Sequence, residues 1–187
     1  KRPFVVEIDL ANFFNTVPHR KLMKLLRRRI NDGKLLGLIA RFLQVDILNQ
    51  QGTLTTTEVG TPQGSVMAPI LANIFLHYAL DTWFLENWAS QDAVIVRYAD
   101  DAVFMFSKEW RAKDFLAALK LRLAEYKLSV NEDKTALINF SKGKETIFSF
   151  LGFTFFWNKL KGWNKVNLVI KTQREKIKKK NQEFNDW

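Results

Sequence analysis

Three acidic residues stand where carboxylates are costly to keep. Asp9 follows the apolar run Phe4-Val5-Val6-Glu7-Ile8, and Asp100-Asp101 separate Val94-Ile95-Val96 from Val103-Phe104-Met105-Phe106. An ionised carboxylate beside a low-dielectric core costs on the order of several kcal/mol unless it is paired, hydrogen-bonded or bound to a cation. A divalent cation is one answer. Mg²⁺ prefers octahedral oxygen ligands, typically one or two carboxylates with substrate phosphates, so acids on adjacent strand ends would form a two-ion platform for phosphoryl transfer. The other answer is local structure, with Asp9 capping a loop and Asp100-Asp101 turning a hairpin. Taken singly, each acid site fits both.

Elements must hold these acids in place. A first strand is expected over Phe4 to Leu10. Pro18 suits the first helical position, and Leu22, Leu25, Leu26 and Ile30 follow at helical spacing until Asn31-Asp32-Gly33 stops the helix. A second helix, about Leu35 to Leu48, leads into a Gln50-Gln51-Gly52 turn and a Thr-rich hairpin ending at Val59. The loop Gly60-Thr61-Pro62-Gln63-Gly64-Ser65 then feeds a long, largely buried helix from about Pro69 to Trp88. Residues Ala93 to Phe106 read as a hairpin with the acids at its tip. Phe115, Leu119, Leu123 and Tyr126 share one face of a helix over Trp110 to Tyr126. Another hairpin is expected in Thr146 to Phe156, turning near Gly152, and a basic helical segment over Lys171 to Trp187. Strands and helices in this uneven alternation imply an α+β fold, an antiparallel sheet packed on helices.

Composition narrows the class. The chain has 187 residues, 47% hydrophobic and 26% charged, which is enough for a folded core and far from disordered composition. Lys and Arg number 29 against 19 Asp and Glu, a net charge of +10 that points to a polyanionic partner such as nucleic acid. Charge alone does not separate RNA, DNA and lipid. Without cysteine there is no disulfide framework and no thiolate metal site, and a reducing intracellular compartment is the simplest reading. Apolar stretches break well before the ~18 residues of a membrane span, so no membrane partner is expected. The opening Lys1-Arg2-Pro3 and the abrupt basic end suggest an internal piece of a longer protein. His19 and His77, each lacking a second ligand at metal spacing, read as structural.

Five segments occur in an order that resembles the palm motifs of reverse transcriptases: Glu7-Ile8-Asp9-Leu10-Ala11-Asn12-Phe13-Phe14, Gly60 through Ser65, Tyr98-Ala99-Asp100-Asp101, Leu128-Ser129 through Lys134-Thr135, and Phe150-Leu151-Gly152-Phe153. The wording is most similar to the enzymes encoded by group II introns, with Ala72-Asn73-Ile74-Phe75-Leu76-His77 and Lys171-Thr172 adding to it. The resemblance implies a polymerase palm with part of the fingers over residues 1–170, and over 171–187 the truncated first helix of a thumb, or maturase, domain.

The resemblance also implies roles. Asp9, Asp100 and Asp101 would bind two Mg²⁺ ions, with Mn²⁺ as a substitute, and the Leu10 carbonyl could add a ligand. The amides of Asn12 and Phe13 would cradle phosphates, and Lys134 would face the pyrophosphate; a plain surface lysine is the alternative there. Phe14 would pack under the incoming sugar and exclude a 2′-OH, selecting dNTPs; an ordinary core ring is the alternative. Gln63 and Gly64 would meet the nucleotide, and Phe150, Leu151 and Gly152 would grip the primer. Arg27, Arg28 and Arg29, together with the tail from Lys171 and Arg174 onward, are candidates for nucleic-acid contact or for solvated helix faces. Asn15 and Ala68 depart from the residues usual in the family, Asp and Ser, at positions that should bind no metal.

The expected function is therefore RNA-directed DNA polymerisation with an RNA template, a DNA or RNA primer and dNTPs, together with help in splicing a structured intron RNA. The setting would be a ribonucleoprotein in a bacterial cytoplasm or an organelle, and this piece alone is expected to be inactive. An RNA-dependent RNA polymerase shares the palm, but Phe14 argues against it. A purely RNA-binding scaffold is argued against by the intact acids.

Overall fold

Val5, Val6 and Ile8 bury side chains on both faces of one short strand, which marks it as an inner strand. The computed structural model describes residues 1–44, 47–48, 54–55, 59–61, 66–159 and 166–185. In chain order the elements are β1 (Phe4–Ile8), α1 (Phe13–Thr16), α2 (His19–Leu26), α3 (Gly33–Leu43), β2 (Ile47–Leu48), β3 (Leu54–Thr55), α4 (Ala68–Leu76), a π-helical turn (His77–Asp81), α5 (Thr82–Asn87), β4 (Ala93–Tyr98), β5 (Asp101–Phe106), α6 (Glu109–Glu125), β6 (Ala136–Asn139), β7 (Ile147–Phe150), β8 (Phe153–Lys159), β9 (Val166–Thr172) and α7 (Arg174–Asn185). They divide into two compact units.

The first unit comprises Lys1–Ile8, Ser90–Leu116 and Glu132–Trp187. Its main sheet is antiparallel, in the order β4-β5-β1-β6. β1 is held from both sides, with Val6 opposite Phe104 on β5 and Leu137 on β6. Phe115, near the middle of α6, packs its ring 4.5 Å from that of Phe104 and 5.1 Å from that of Phe106, so a helix covers this sheet as expected. A second antiparallel sheet, β7-β8-β9, carries its own aromatic cluster, where Phe148 stacks on Phe155 at 4.7 Å and meets Phe140 edge-on at 4.8 Å.

The second unit comprises Asp9–Ala89 and Ala117–Asn131. It is mostly helical, and Leu22, Leu71, Phe75, Leu80, Leu119 and Leu123 are fully buried in its core. Asp32 caps α3 by accepting from the amides of Lys34 and Leu35. The expected long helix from Pro69 is present as α4 and α5, but the π-helical turn interrupts its hydrogen bonding. Arg122 compensates by donating from Nε to the Ala79 carbonyl and from Nη2 to that of Tyr78, both at 3.1 Å.

Several expected boundaries move. β1 ends at Ile8 rather than Leu10, because Leu10 leaves the sheet for an isolated bridge to Val130. α3 ends at Leu43, and Ile47 and Leu48 pair with Thr55 and Leu54 as strands rather than extending the helix. The Gln50-Gln51-Gly52 turn lies outside the described residues. β6 and β9 were not foreseen. Lys171 and Thr172 belong to β9, where Thr154 and Phe153 on β8 are their partners, so the last helix starts at Arg174.

Candidate active site

The β4–β5 hairpin delivers the paired acids. Tyr98 is the register partner of Asp101, which leaves Ala99 and Asp100 as a two-residue loop. Such loops demand positive φ, and Ala99 supplies it at +53° although a residue with a Cβ pays for that conformation. The guanidinium of Arg97 donates from Nη1 to the Ala99 carbonyl at 2.6 Å. Asp100 is half-buried and Asp101 exposed.

Asp101 shares an open cavity of about 590 Å³ with Glu7, Tyr98, Ser149, Phe150, Leu151, Gly152, Gln173 and Lys176. Glu7 reaches it through the sheet. Glu7 faces Val103 across β1 and β5, and Asp101 lies diagonally on the same pleated face. Burial, and then the charge of Asp101, push the Glu7 carboxyl above its ordinary value, while a backbone hydrogen bond from Ser149 pulls it back in part.

The β7–β8 turn forms another wall of that cavity. Phe150 pairs with Phe153, and both loop residues take positive φ, Leu151 at +50° and Gly152 at +80°. The three residues expected at a primer grip, Phe150, Leu151 and Gly152, thus line the cavity that holds Asp101. Lys171 and Arg174 come together elsewhere in the same unit, lining a cavity of about 620 Å³ with Thr154 and Phe156; the Lys171 ammonium sits 5.6 Å from the Phe156 ring centre. Lys134 is exposed on the turn before β6.

In the second unit, Asp9 is half-buried and its carbonyl accepts from Asn131 at 2.8 Å. Leu10 bridges Val130, and Ala11 donates to Ser129 at 2.9 Å, so the residues that follow β1 are tied to the segment after α6. Asn12 takes a left-handed conformation, φ +46°, and opens the four-residue α1. Phe13 is buried and Phe14 half-buried, with their rings 5.3 Å apart. The Phe14 carbonyl accepts from the Thr61 amide at 2.6 Å, and the Gly60 amide donates to Val17 at 2.9 Å.

Gly60 permits this contact, since it takes φ +94° and a Cβ there would stand 3.2 Å from Phe14 and Asn15 backbone atoms. Buried His19 bonds the Gly60 carbonyl through Nε2 at 2.5 Å, the structural role expected of it. Gln63 and Gly64 lie outside the described residues. Arg27, Arg28 and Arg29 are exposed beyond the end of α2, with Arg28 over the Tyr78 ring at 5.5 Å.

Among the described residues no three His, Cys, Asp or Glu side chains gather into a metal-binding group. No helix among them is long and apolar enough to cross a membrane. Sequence reading missed Glu7, Arg97, Gln173 and Lys176 as neighbours of the acidic tip. Strand alternation could have found Glu7, which lies two residues before Asp9; the others depend on folded geometry.

Comparison with known proteins places the chain in a family. The family described as "Reverse transcriptase (RNA-dependent DNA polymerase)" matches residues 1–155, and the chain belongs to it. Protein YkfC of Escherichia coli (strain K12) is 31% identical over 179 residues, covering 80% of this chain and 46% of its own length. The group II intron-encoded protein LtrA of Lactococcus lactis subsp. cremoris is 38% identical over 81 residues, covering 43% of this chain and 13% of its own. The chain therefore spans less than half the length of these curated relatives. The fold is that of a solved apo telomerase from Candida tropicalis truncated from its C-terminal domain, with a TM-score of 0.66 at 18% identity over 91% of this chain and 35% of that one.

Proposed function

We propose that this chain is the catalytic part of an RNA-directed DNA polymerase of the group II intron type, which joins a dNTP to a primer 3′-OH on an RNA template. The carrying observation is the family match over residues 1–155 together with Asp100 on the β4–β5 loop and Asp101 at the start of β5. Asp101 opens onto the cavity lined by Phe150, Leu151 and Gly152, which supports a role for the hairpin acids beside a primer end.

The donor chemistry fits divalent magnesium, because every candidate ligand is a hard carboxylate or carbonyl oxygen. Asp9, Asp100 and Asp101, with the Leu10 carbonyl, would hold the ions. A cage of protein acids is not required, since Mg²⁺ commonly completes its shell with substrate phosphates and water. When bound, the ions would activate the primer hydroxyl and offset charge on the triphosphate.

The chain's own groups would orient the reactants. Asn12 and Phe13 amides would meet phosphates, Phe14 the sugar, Gln63 and Gly64 the nucleotide, and the Phe150 to Gly152 turn the primer end. Lys134 would neutralise charge or donate a proton at the pyrophosphate. The exposed cations Lys171, Arg174 and Arg27 to Arg29 would contact nucleic acid, and the parent protein would also assist the splicing of intron RNA. Residues 171–187 would open the thumb, and the setting would be a ribonucleoprotein inside a bacterium or an organelle.

The test is primer extension by the parent protein on an RNA template with dNTPs and Mg²⁺. Asp100→Ala should abolish synthesis; full extension by that variant would refute the assignment.

A further inference from the structure

We propose that Arg97 is a positioning residue for the acidic loop: its guanidinium holds the Ala99 carbonyl and so fixes the left-handed turn that carries Asp100 and Asp101. The inference deepens the polymerase reading and rests on it for its catalytic consequence, though not for its structural one.

The peptide between Ala99 and Asp100 is where the contact acts. Its carbonyl belongs to Ala99, and a hydrogen bond to that oxygen orients the whole peptide plane. Two torsions are set together in this way, ψ of Ala99 and φ of Asp100. Ala99 stands at φ +53°, a region that L-residues enter only when their surroundings hold them there. The partner that does so is half-buried Arg97, whose Nη1 lies 2.6 Å from the oxygen, the short distance of a charge-assisted bond.

Register explains why the side chain can turn back on its own loop. Arg97 stands directly opposite Ala102, a buried residue whose single methyl leaves space on that face of the ladder. On an untethered two-residue loop Asp100 would sample several directions, and Asp101, which follows it, would be less well fixed. Phosphoryl transfer requires the opposite, because misplacement of a ligand group by about 1 Å can cost on the order of a hundredfold in rate.

Arginine suits this task better than lysine. Its planar fork can hold one carbonyl while its remaining donors meet other groups, whereas an ammonium on a flexible stem fixes no plane.

The experiment uses the full-length parent protein with Arg97→Ala and Arg97→Lys, and reads both the loop and the reaction. Amide hydrogen exchange at residues 99–101 should speed up roughly tenfold in Arg97→Ala, the equivalent of one charge-assisted hydrogen bond. In primer extension kcat should fall roughly 10- to 100-fold while KM for dNTP moves little, and added guanidinium ion should restore part of kcat. Arg97→Lys should recover little of either readout. Should Arg97→Ala fail to fold, Arg97→Met, which keeps an apolar stem but has no donor for the Ala99 carbonyl, carries the same comparison.

A folded variant with unchanged exchange and unchanged kcat overturns the proposal. If Asp100→Ala still polymerises, the polymerase reading falls, and the exchange measurement still decides whether Arg97 holds the loop.

Discussion

Lys176 lies across the space a side chain would need at Gly152, where a Cβ would stand 2.8 Å from both Cδ and Cε of the lysine. The Gly152 carbonyl also accepts from the Gln173 amide at 3.0 Å. The start of α7 is thus seated on the β7–β8 turn, and the turn's glycine is required for its φ of +80° and leaves room for the lysine above it.

Gly152→Ala should therefore destabilise the protein by about 1–2 kcal/mol, mostly from the left-handed backbone, since the lysine tail can swing aside. Urea denaturation of the single variant and of the Gly152→Ala, Lys176→Ala pair separates the two parts. The lysine truncation should return only the smaller, steric share.

Glu7 makes stability depend on pH in a stated direction. Its carboxyl binds a proton more tightly in the folded protein than in the unfolded chain, because burial and Asp101 raise it. A folded value above the unfolded one gives a contribution that is whole below the unfolded pKa and is lost as pH rises through the folded pKa. Glu7→Gln should raise the urea midpoint near neutral pH and leave it almost unchanged near pH 4. Equal effects at both values would contradict the assignment of the shift.

Phe115→Ala should cost about 3–5 kcal/mol, as expected for deleting a fully buried ring that touches Phe104 and Phe106. Chemical denaturation gives the value. A loss below about 1 kcal/mol would mean that the sheet does not depend on α6 for its cover.

Phe14→Ala addresses sugar selection. If the half-buried ring excludes a 2′-OH, its removal should raise the rate of rNTP relative to dNTP incorporation by roughly tenfold or more in the parent protein. Because the Phe14 carbonyl, rather than its ring, bonds Thr61, the contact to Thr61 should survive the change.

The β4–β5 hairpin was legible in the sequence because two β-branched and aromatic runs flank a short polar break, and both pairing partners are local. The apolar face of α6 was equally plain from its period. β6 was not, because Ala136 to Asn139 is short and finds its partner, β1, across most of the chain. β9 was hidden by its position, because most of its residues are exposed on an outer strand and, among the described residues, its partner β8 is its only neighbour in the sheet. Ile47 and Leu48 continue the apolar spacing of α3, so period alone could not end that helix at Leu43. Within the candidate site, the motif residues Asp100, Asp101 and Phe150 to Gly152 were readable. Glu7 meets Asp101 only through the pairing of β1 with β5, and Arg97 grips a backbone oxygen that no residue pattern advertises.

The wide turn at His77–Asp81 leaves slack in an otherwise rigid rod. Ala68 and Phe84 both face the interior sixteen residues apart, whereas four ordinary α-turns use about 14. Loss of a single residue within that turn would tighten its winding and still bring Phe84 inward. The same deletion inside α6 has no such reserve and would rotate everything beyond it by about 100°. The stretch from His77 to Asp81 is thus where this chain can lose one residue and keep its interior packed.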